Sequence, residues 1–440
     1  METLIVLGGA LLFFVLLMGS IAFHELGHLS FAKLFGVRTT QYMVGFGPTM
    51  KSWRRGETEY GIKWIPLGGY IRMIGMLPPR KSDPEGMIRS SSTGRFQMLI
   101  DSAREGALEE VGPGDADRVF YAKKWWQKLL VMFAGPAANL LLAVVFFAVL
   151  IMGLGTMQST PTISTVSKCT IAAKEAYLAD GSLRECTAEE TARSTPAAKA
   201  GLQPGDTFIS FGGQRIEDYP QLQQLIRKSA NKTVPAVVER DGRQIPVSLD
   251  VTANQMQDLK DSDKVVTVGF LGISPLVDRV QGGPGDVAAQ MGEMTTRTLE
   301  AFTHLPQKMV GVWHAAFSGE ERDPEGPIGV VGASRLGGEI LASENPGIAK
   351  LSWFVALLAS INFAVGMFNL IPLLPLDGGH IAGALWEGLK RGVARLLRRP
   401  DPGYVDVAKL LPLTYAMSII LLVMGALLVY ADLINPVRFT

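Results

Sequence analysis

The run from Leu4 to Phe23 contains no charged residue and passes directly into His24-Glu25-Leu26-Gly27-His28. About 20 apolar residues make a helix long enough to cross a bilayer. Such a helix satisfies its own backbone, but two imidazoles and a carboxylate at its end are costly in lipid unless they pair or bind metal. Positions i and i+4 share one helix face, so both imidazoles can bind a single Zn²⁺. The glutamate beside them can then take a proton from water at the metal. The chain holds only five histidines, which argues against a chance match to this spacing.

Three further apolar segments reach spanning length: Leu129 to Met152, Trp353 to Leu374 and Leu411 to Leu433. The first segment, Leu4 to Leu34, follows Glu2 with no basic residue before it and no small-residue cleavage site after it, so it reads as a retained span rather than a signal peptide. Hydrophobic residues make up 48% of the chain and charged ones 19%, a mixture of spans and polar modules. The net charge of +1 excludes a nucleic-acid partner by composition and leaves membrane lipid as the surrounding phase. Basic residues cluster after the first span (Lys33, Arg38, Lys51, Arg54, Arg55), before the second (Lys123, Lys124, Lys128) and between the third and fourth (Lys390, Arg391, Arg395, Arg398, Arg399). The positive-inside rule puts these clusters in the cytoplasm and both termini outside. The long segment from about Gly155 to Ser352 is then outside as well, and it carries both cysteines. A Cys169–Cys186 disulfide is expected there, since a bridge persists outside a bacterial cytoplasmic membrane.

The expected layout follows. Residues 1–35 form the first span. Residues 36–76 form a membrane-associated β-hairpin loop, with short apolar runs punctuated by Gly45-Phe46-Gly47-Pro48 and Pro66-Leu67-Gly68-Gly69. A sheet edge there would suit an extended substrate, although a plain cytoplasmic hairpin has the same pattern. Residues 77–128 are a polar cytoplasmic loop and 129–155 the second span. Over 156–275, Thr207–Phe211 reads as a strand and a short helix follows Tyr219-Pro220. Strands over 234–240 and 245–251 flank Asp241-Gly242, a strong hairpin signal. That order resembles a bacterial PDZ domain, which binds extended peptide by strand addition. A module that only filters access fits the same residues. Residues 276–350 are an amphipathic or linker region, with Val287, Met291, Met294, Phe302 and Leu305 near one helix face. His304 and His314 in it receive no catalytic role. Residues 351–380 are the third span, 381–409 a cytoplasmic loop and 410–434 the fourth span.

Catalytic zinc takes three protein ligands, and His24 and His28 supply two. The third candidate is Asp377, the sole carboxylate between Glu344 and Glu387, in Asn369-Leu370-Ile371-Pro372-Leu373-Leu374-Pro375-Leu376-Asp377-Gly378-Gly379-His380. Leu4 to His24 is about 30 Å of helix, so His24 nears the cytoplasmic interface. The third span runs inward and brings Asp377 to the same depth. The prolines end the helix, and the glycines allow a close turn.

H-E-x-x-H in the first span with L-D-G in a later one resembles the site-2 protease family of intramembrane metalloproteases, the bacterial RseP-like group in particular. The Gly45-Phe46-Gly47 loop, Gly135-Pro136-Ala137-Ala138-Asn139 and the PDZ-like segment extend the resemblance over nearly the whole chain. It departs in showing one PDZ-like pattern where some relatives have two, and residues 165–190 have no counterpart in the family pattern. The resemblance implies a multi-pass α-helical protein of the bacterial inner membrane, with about four spans, a membrane-associated β-hairpin and an extracytoplasmic α+β PDZ domain. It implies Zn²⁺ held by His24, His28 and Asp377, with Glu25 as general base. Asn369, Asn139, Gly45, Phe46 and Gly47 are the implied substrate-binding residues. The implied activity is hydrolysis within transmembrane segments of single-span proteins, such as anti-sigma factors already trimmed outside, and remnant signal peptides. Two other classes carry some of these features. A membrane scaffold with structural zinc would keep its function in Glu25→Gln, and a zinc transporter or sensor would carry more intramembrane charge than the uncharged run Leu411–Tyr430 offers.

Overall fold

The computed structural model describes residues 2–78, 112, 114–169, 194–257, 265–324 and 326–437. Most of the polar loop expected over 77–128 lies outside the described residues. Helix α1 (Glu2–Leu34) is one uninterrupted helix of 33 residues, with no proline to break it. Strands β1 (Thr39–Arg55) and β2 (Thr58–Met73) follow and pair antiparallel around a turn at Gly56, φ +63°. The pairing is irregular in a useful way. Tyr42 faces both Tyr60 and Ile71, and Val44 faces both Ile62 and Gly69, so β1 lies between the two ends of β2. Among the described residues, Gly69 to Ile71 therefore have a strand partner on one side only. Tyr42 ties the hairpin to α1 through its hydroxyl, which donates to the Ala22 carbonyl at 2.7 Å. Helix α2 (Trp125–Ala148) continues into a wider π-helical turn, Val149–Leu154.

Gly155–Gln281 is a separate compact unit. Its strands are β3 (Thr156–Val166), β4 (Thr207–Phe211), β5 (Gln214–Arg215), β6 (Lys232–Arg240), β7 (Arg243–Gln257), β8 (Val265–Phe270) and β9 (Ile273–Val280). They run in the order β8-β7-β6-β4-β3-β9, with β5 paired to β4. The helices are the one-turn α3 (Pro196–Lys199) and α4 (Tyr219–Lys228), each capped by a side chain, Thr195 and Asp218 respectively. Leu222 and Ile226, one turn apart on α4, bury against Phe208, Phe211, Val238 and Leu249. The β6–β7 turn is Asp241-Gly242 with both residues at positive φ, the backbone that such a pair favours. Asp206, fully buried, accepts two hydrogen bonds from Arg240, at 2.6 and 2.8 Å. Cys169 is disulfide-bonded, and Cys186, the expected partner, lies outside the described residues.

The remaining helices are α5 (Pro284–Phe317), α6 (Val330–Ala342), α7 (Gly347–Asn369), α8 (Asp377–Leu396) and α9 (Leu411–Ile434). They form one compact unit with residues 1–154. Among the described residues, four helices are long and apolar enough to cross a membrane: Thr3–Leu34, Trp125–Leu154, Gly347–Asn369 and Val407–Ile434. Small residues let them approach closely. A Cβ on Gly27 of α1 would lie 2.3 Å from the Ala134 carbonyl oxygen of α2, and one on Gly366 of α7 would lie 3.2 Å from that of Pro136.

The observed boundaries differ from the expected layout in three places. The third apolar helix ends at Asn369, because Pro372 cannot continue it, and Asp377 begins a new helix. The region expected as a loop over 381–409 is mostly helix α8, whose basic residues sit along a helix instead of in an irregular connection. Over 276–350, expected as an amphipathic or linker region, α5 carries the residues expected on one helix face, and α6 is an additional helix. Helix α6 packs on α1, where a Cβ on Gly338 would lie 2.2 Å from the Val6 carbonyl oxygen. Two ion pairs lie inside this helical unit. Lys128 meets Glu387 at 2.8 Å, and Arg322 meets Asp432 at 2.7 Å. Asp432 also accepts from the Gly329 and Gly332 amides at the start of α6, as an anionic cap on a helix N-terminus.

Candidate active site

Helix α1 delivers His24, Glu25 and His28 to a wall formed by α2. Pro136 has no N–H to give, which loosens the ladder of this part of α2. The Val131 carbonyl accepts from His28 Nδ1 at 2.8 Å, and the Asn139 amide oxygen lies 3.2 Å from His24 Nδ1. A carbonyl can only accept, so Nδ1 carries the proton in both rings and each Nε2 keeps its lone pair. Asp377, the first residue of α8, is held close by a turn that only glycine permits. A Cβ on Gly378 would lie 2.1 Å from the Ile371 carbonyl oxygen, and one on Gly379 would lie 2.6 Å from the Leu374 nitrogen.

The three acceptors converge. His24 Nε2 and His28 Nε2 are 3.2 Å apart, and Asp377 Oδ2 lies 3.2 Å from the first and 3.3 Å from the second. A tetrahedral Zn²⁺ with ligand distances of about 2.0–2.1 Å separates its ligand atoms by about 3.3 Å, so the donor set fits this metal. Two lone pairs and a carboxylate oxygen facing one point repel unless a cation or shared protons lie between them. Both imidazoles are buried, at 8% and 5% exposure. Among the described residues, His24, His28 and Asp377 form the group able to hold a metal.

Glu25 lines a cavity of about 440 Å³ together with these three residues. The singly paired end of β2 forms another wall, with Gly69 so close that a Cβ would sit 2.9 Å from Glu25 Cγ. Asn369 and Tyr70 also line it. The other residues expected at the substrate lie outside the lining. Asn139, 1% exposed, sits behind His24 as its hydrogen-bond partner. Gly45 and Gly47, at φ +94° and +81°, are bends within β1, and Phe46 stacks on Tyr70 with ring centres 6.1 Å apart. His304 and His314 are exposed on α5, outside the converging group. A larger groove of about 970 Å³ runs between α1 and α6, lined by neither Glu25 nor the converging acceptors.

The partner of His24 yields a test. The hydrogen-bond partner of a metal-binding imidazole fixes its tautomer, and losing one costs about 10–100-fold in metal affinity. Asn139→Ala should weaken zinc binding by that factor in competition with a chelator, while Asn139→Asp, which keeps an acceptor, should restore most of it.

Two imidazoles and a carboxylate around one point, with a glutamate beside them, are a donor set that could hold a hydrolytic zinc, and the chain is a zinc metalloprotease. The model of Peptidase family M50 matches residues 12–397. The zinc metalloprotease Rip1 of Mycobacterium tuberculosis is 34% identical over 440 residues, covering 98% of each chain. Rip1 of Mycolicibacterium smegmatis is 33% identical, covering 97% of this chain and 98% of the relative. Metalloprotease MmpA of Caulobacter vibrioides is 26% identical over 84% of this chain and 83% of its own. The chain belongs to peptidase family M50, the site-2 proteases.

Proposed function

We propose that this protein is an intramembrane endopeptidase that cuts within or near the transmembrane helix of single-span membrane proteins. The observation that carries the reading is the placement of His24, Glu25 and His28 on a helix of membrane-spanning length, with Asp377 brought to them just beyond a second such helix, beside the β2 strand. In this reading His24, His28 and Asp377 hold Zn²⁺. When bound, the metal supplies Lewis acidity at the peptide carbonyl. Glu25 takes the proton of the attacking water and passes it to the departing amide nitrogen. A helix hides its carbonyls in its own ladder, so the substrate must unwind to be cut. The side of Gly69 and Tyr70 that faces away from β1 offers backbone groups to hold the unwound segment as an added strand. Asn369, in the cavity lining, holds substrate backbone near the metal. The bends at Gly45 and Gly47, with Phe46 on Tyr70, shape the hairpin that carries that edge.

The substrates in this reading are membrane-bound anti-sigma factors first trimmed by another protease, and remnant signal peptides. The protein sits in a bacterial cytoplasmic membrane, with the basic clusters and the catalytic end of α1 inside. Residues 156–275 are the PDZ domain, extracytoplasmic, and exclude untrimmed substrates. The order of strands and helix in that unit and its Asp241-Gly242 hairpin support the assignment.

The test is a pair of trimmed single-span reporters cleaved by purified protein in detergent. One has an all-leucine span, and the other has Gly-Pro at its centre. Helix-breaking residues lower the cost of unwinding by about 3 kcal/mol or more, so the second reporter should be cut at least tenfold faster, within the span. Cleavage confined to the flanks, at equal rates, would show that the enzyme does not act on membrane helices.

A further inference from the structure

One imidazole in the cavity has no part in these roles. His380 follows Asp377 by three residues on α8, so the two share a helix face. It lines the same cavity as Glu25 and lies within electrostatic reach of Asp377 and His28. It is outside the converging metal group. The Nδ1 atoms of His24 and His28 are committed to Asn139 and Val131, whereas the His380 ring makes no hydrogen bond or ion pair with any described residue. His380 also borders a second, small cavity of about 30 Å³ beside Lys128 and Glu387. That is room for about one water, enough to engage one ring nitrogen and leave the other for the catalytic cavity.

Peptide hydrolysis places negative charge on the carbonyl oxygen, and a donor fixed at that point lowers the barrier. Few groups in this cavity can donate there, and Asn369, whose amide is one, is assigned above to the substrate backbone. Glu25 and Asp377 act as carboxylates, and the Tyr70 hydroxyl is directed at Gln41 Oε1, 3.3 Å away. We propose that His380 is a further catalytic residue, whose ring N–H donates a hydrogen bond to the scissile carbonyl oxygen as water adds to the carbonyl carbon. The water oxygen bonds to carbon while the carbonyl π electrons move onto oxygen. The water proton passes to Glu25 and then to the amide nitrogen, the C–N bond breaks, and His380 keeps its own proton throughout.

The inference rests on the intramembrane peptidase reading, and wild-type cleavage of the Gly-Pro reporter checks that reading in the same experiment. The full-length protein, His380→Ala and His380→Gln are compared for kcat, KM, zinc content and affinity for a phosphinic peptide that mimics the tetrahedral state. His380→Ala should lose about 100-fold in kcat, with KM little changed and one zinc per chain retained. Its affinity for the phosphinic peptide should fall by a similar factor. His380→Gln, which keeps an N–H donor, should recover about tenfold of the lost rate. Unchanged kcat in His380→Ala would overturn the proposal alone, as would loss of zinc in step with activity. Absence of wild-type cleavage would overturn the peptidase reading and this proposal with it.

Discussion

Glu25→Gln should lower kcat by about 10³–10⁴-fold while leaving one zinc bound per chain. The substitution preserves size and removes the proton-accepting oxygen. Size matters here because Gly69 leaves so little room beside Glu25 Cγ, and a larger residue would push the β2 edge away. Glu25 stands apart from the converging group of His24, His28 and Asp377, so the metal should survive its loss. Cleavage of a trimmed single-span reporter in detergent, with metal content measured on the same samples, distinguishes the outcomes. Equal cleavage by both proteins would remove Glu25 from the chemistry. Loss of zinc in the variant would make Glu25 part of the metal site.

Gly135→Ala should abolish zinc binding although it adds one methyl group. A Cβ at Gly135 would lie 2.2 Å from His28 Nε2, 2.6 Å from Cε1 and 2.7 Å from Cδ2. The methyl would occupy the space of the ligating nitrogen. The ring cannot swing aside while its Nδ1 is held by Val131, and α1 cannot back away without opening the Gly27–Ala134 contact. Displacing a ligand should cost at least as much as losing its orienting partner, so metal affinity should fall by about 100-fold or more, and activity with it. Gly19→Ala on α1, where an added Cβ meets nothing within 4 Å, is the control and should bind zinc normally. Titration of the apo proteins against a zinc chelator reads both. Normal affinity in Gly135→Ala would mean that α1 and α2 pack more loosely than described.

Much of this protein is legible in the chain because its strongest constraints are local. Bilayer thickness makes an uncharged run such as Leu4–Phe23 a helix of known length. The i, i+4 spacing puts His24 and His28 on one face before any tertiary contact forms. Asp241-Gly242 specifies its turn because few residue pairs tolerate positive φ at both positions. Asp377 could be singled out because a lone carboxylate after an apolar run is costly without a partner. Where apolar runs meet Pro and Gly the reading weakens: the third helix stops at Asn369, and the basic stretch beyond Asp377 is helical.

Tertiary structure alone decided what surrounds the ligands. Asn139 proved to be the partner of His24, which no spacing predicts, since 115 residues separate them. The role of Gly135 depends on where α1 crosses α2, and that crossing is set by matching small residues on two helices. Tyr42 pairs with both ends of β2, so the half-paired edge beside Glu25 arises from a bend in the ladder that strand propensity does not encode. His380 shows the same limit. Its place in the motif was plain, but its lack of a hydrogen-bond partner among the described residues emerges only in the folded structure. Local sequence thus determined the helices, the first two ligands and the nucleating turns, because backbone geometry and desolvation act over a few residues. Packing decided how four distant segments meet around one point, because that depends on the shapes of surfaces that exist only after the helices have formed.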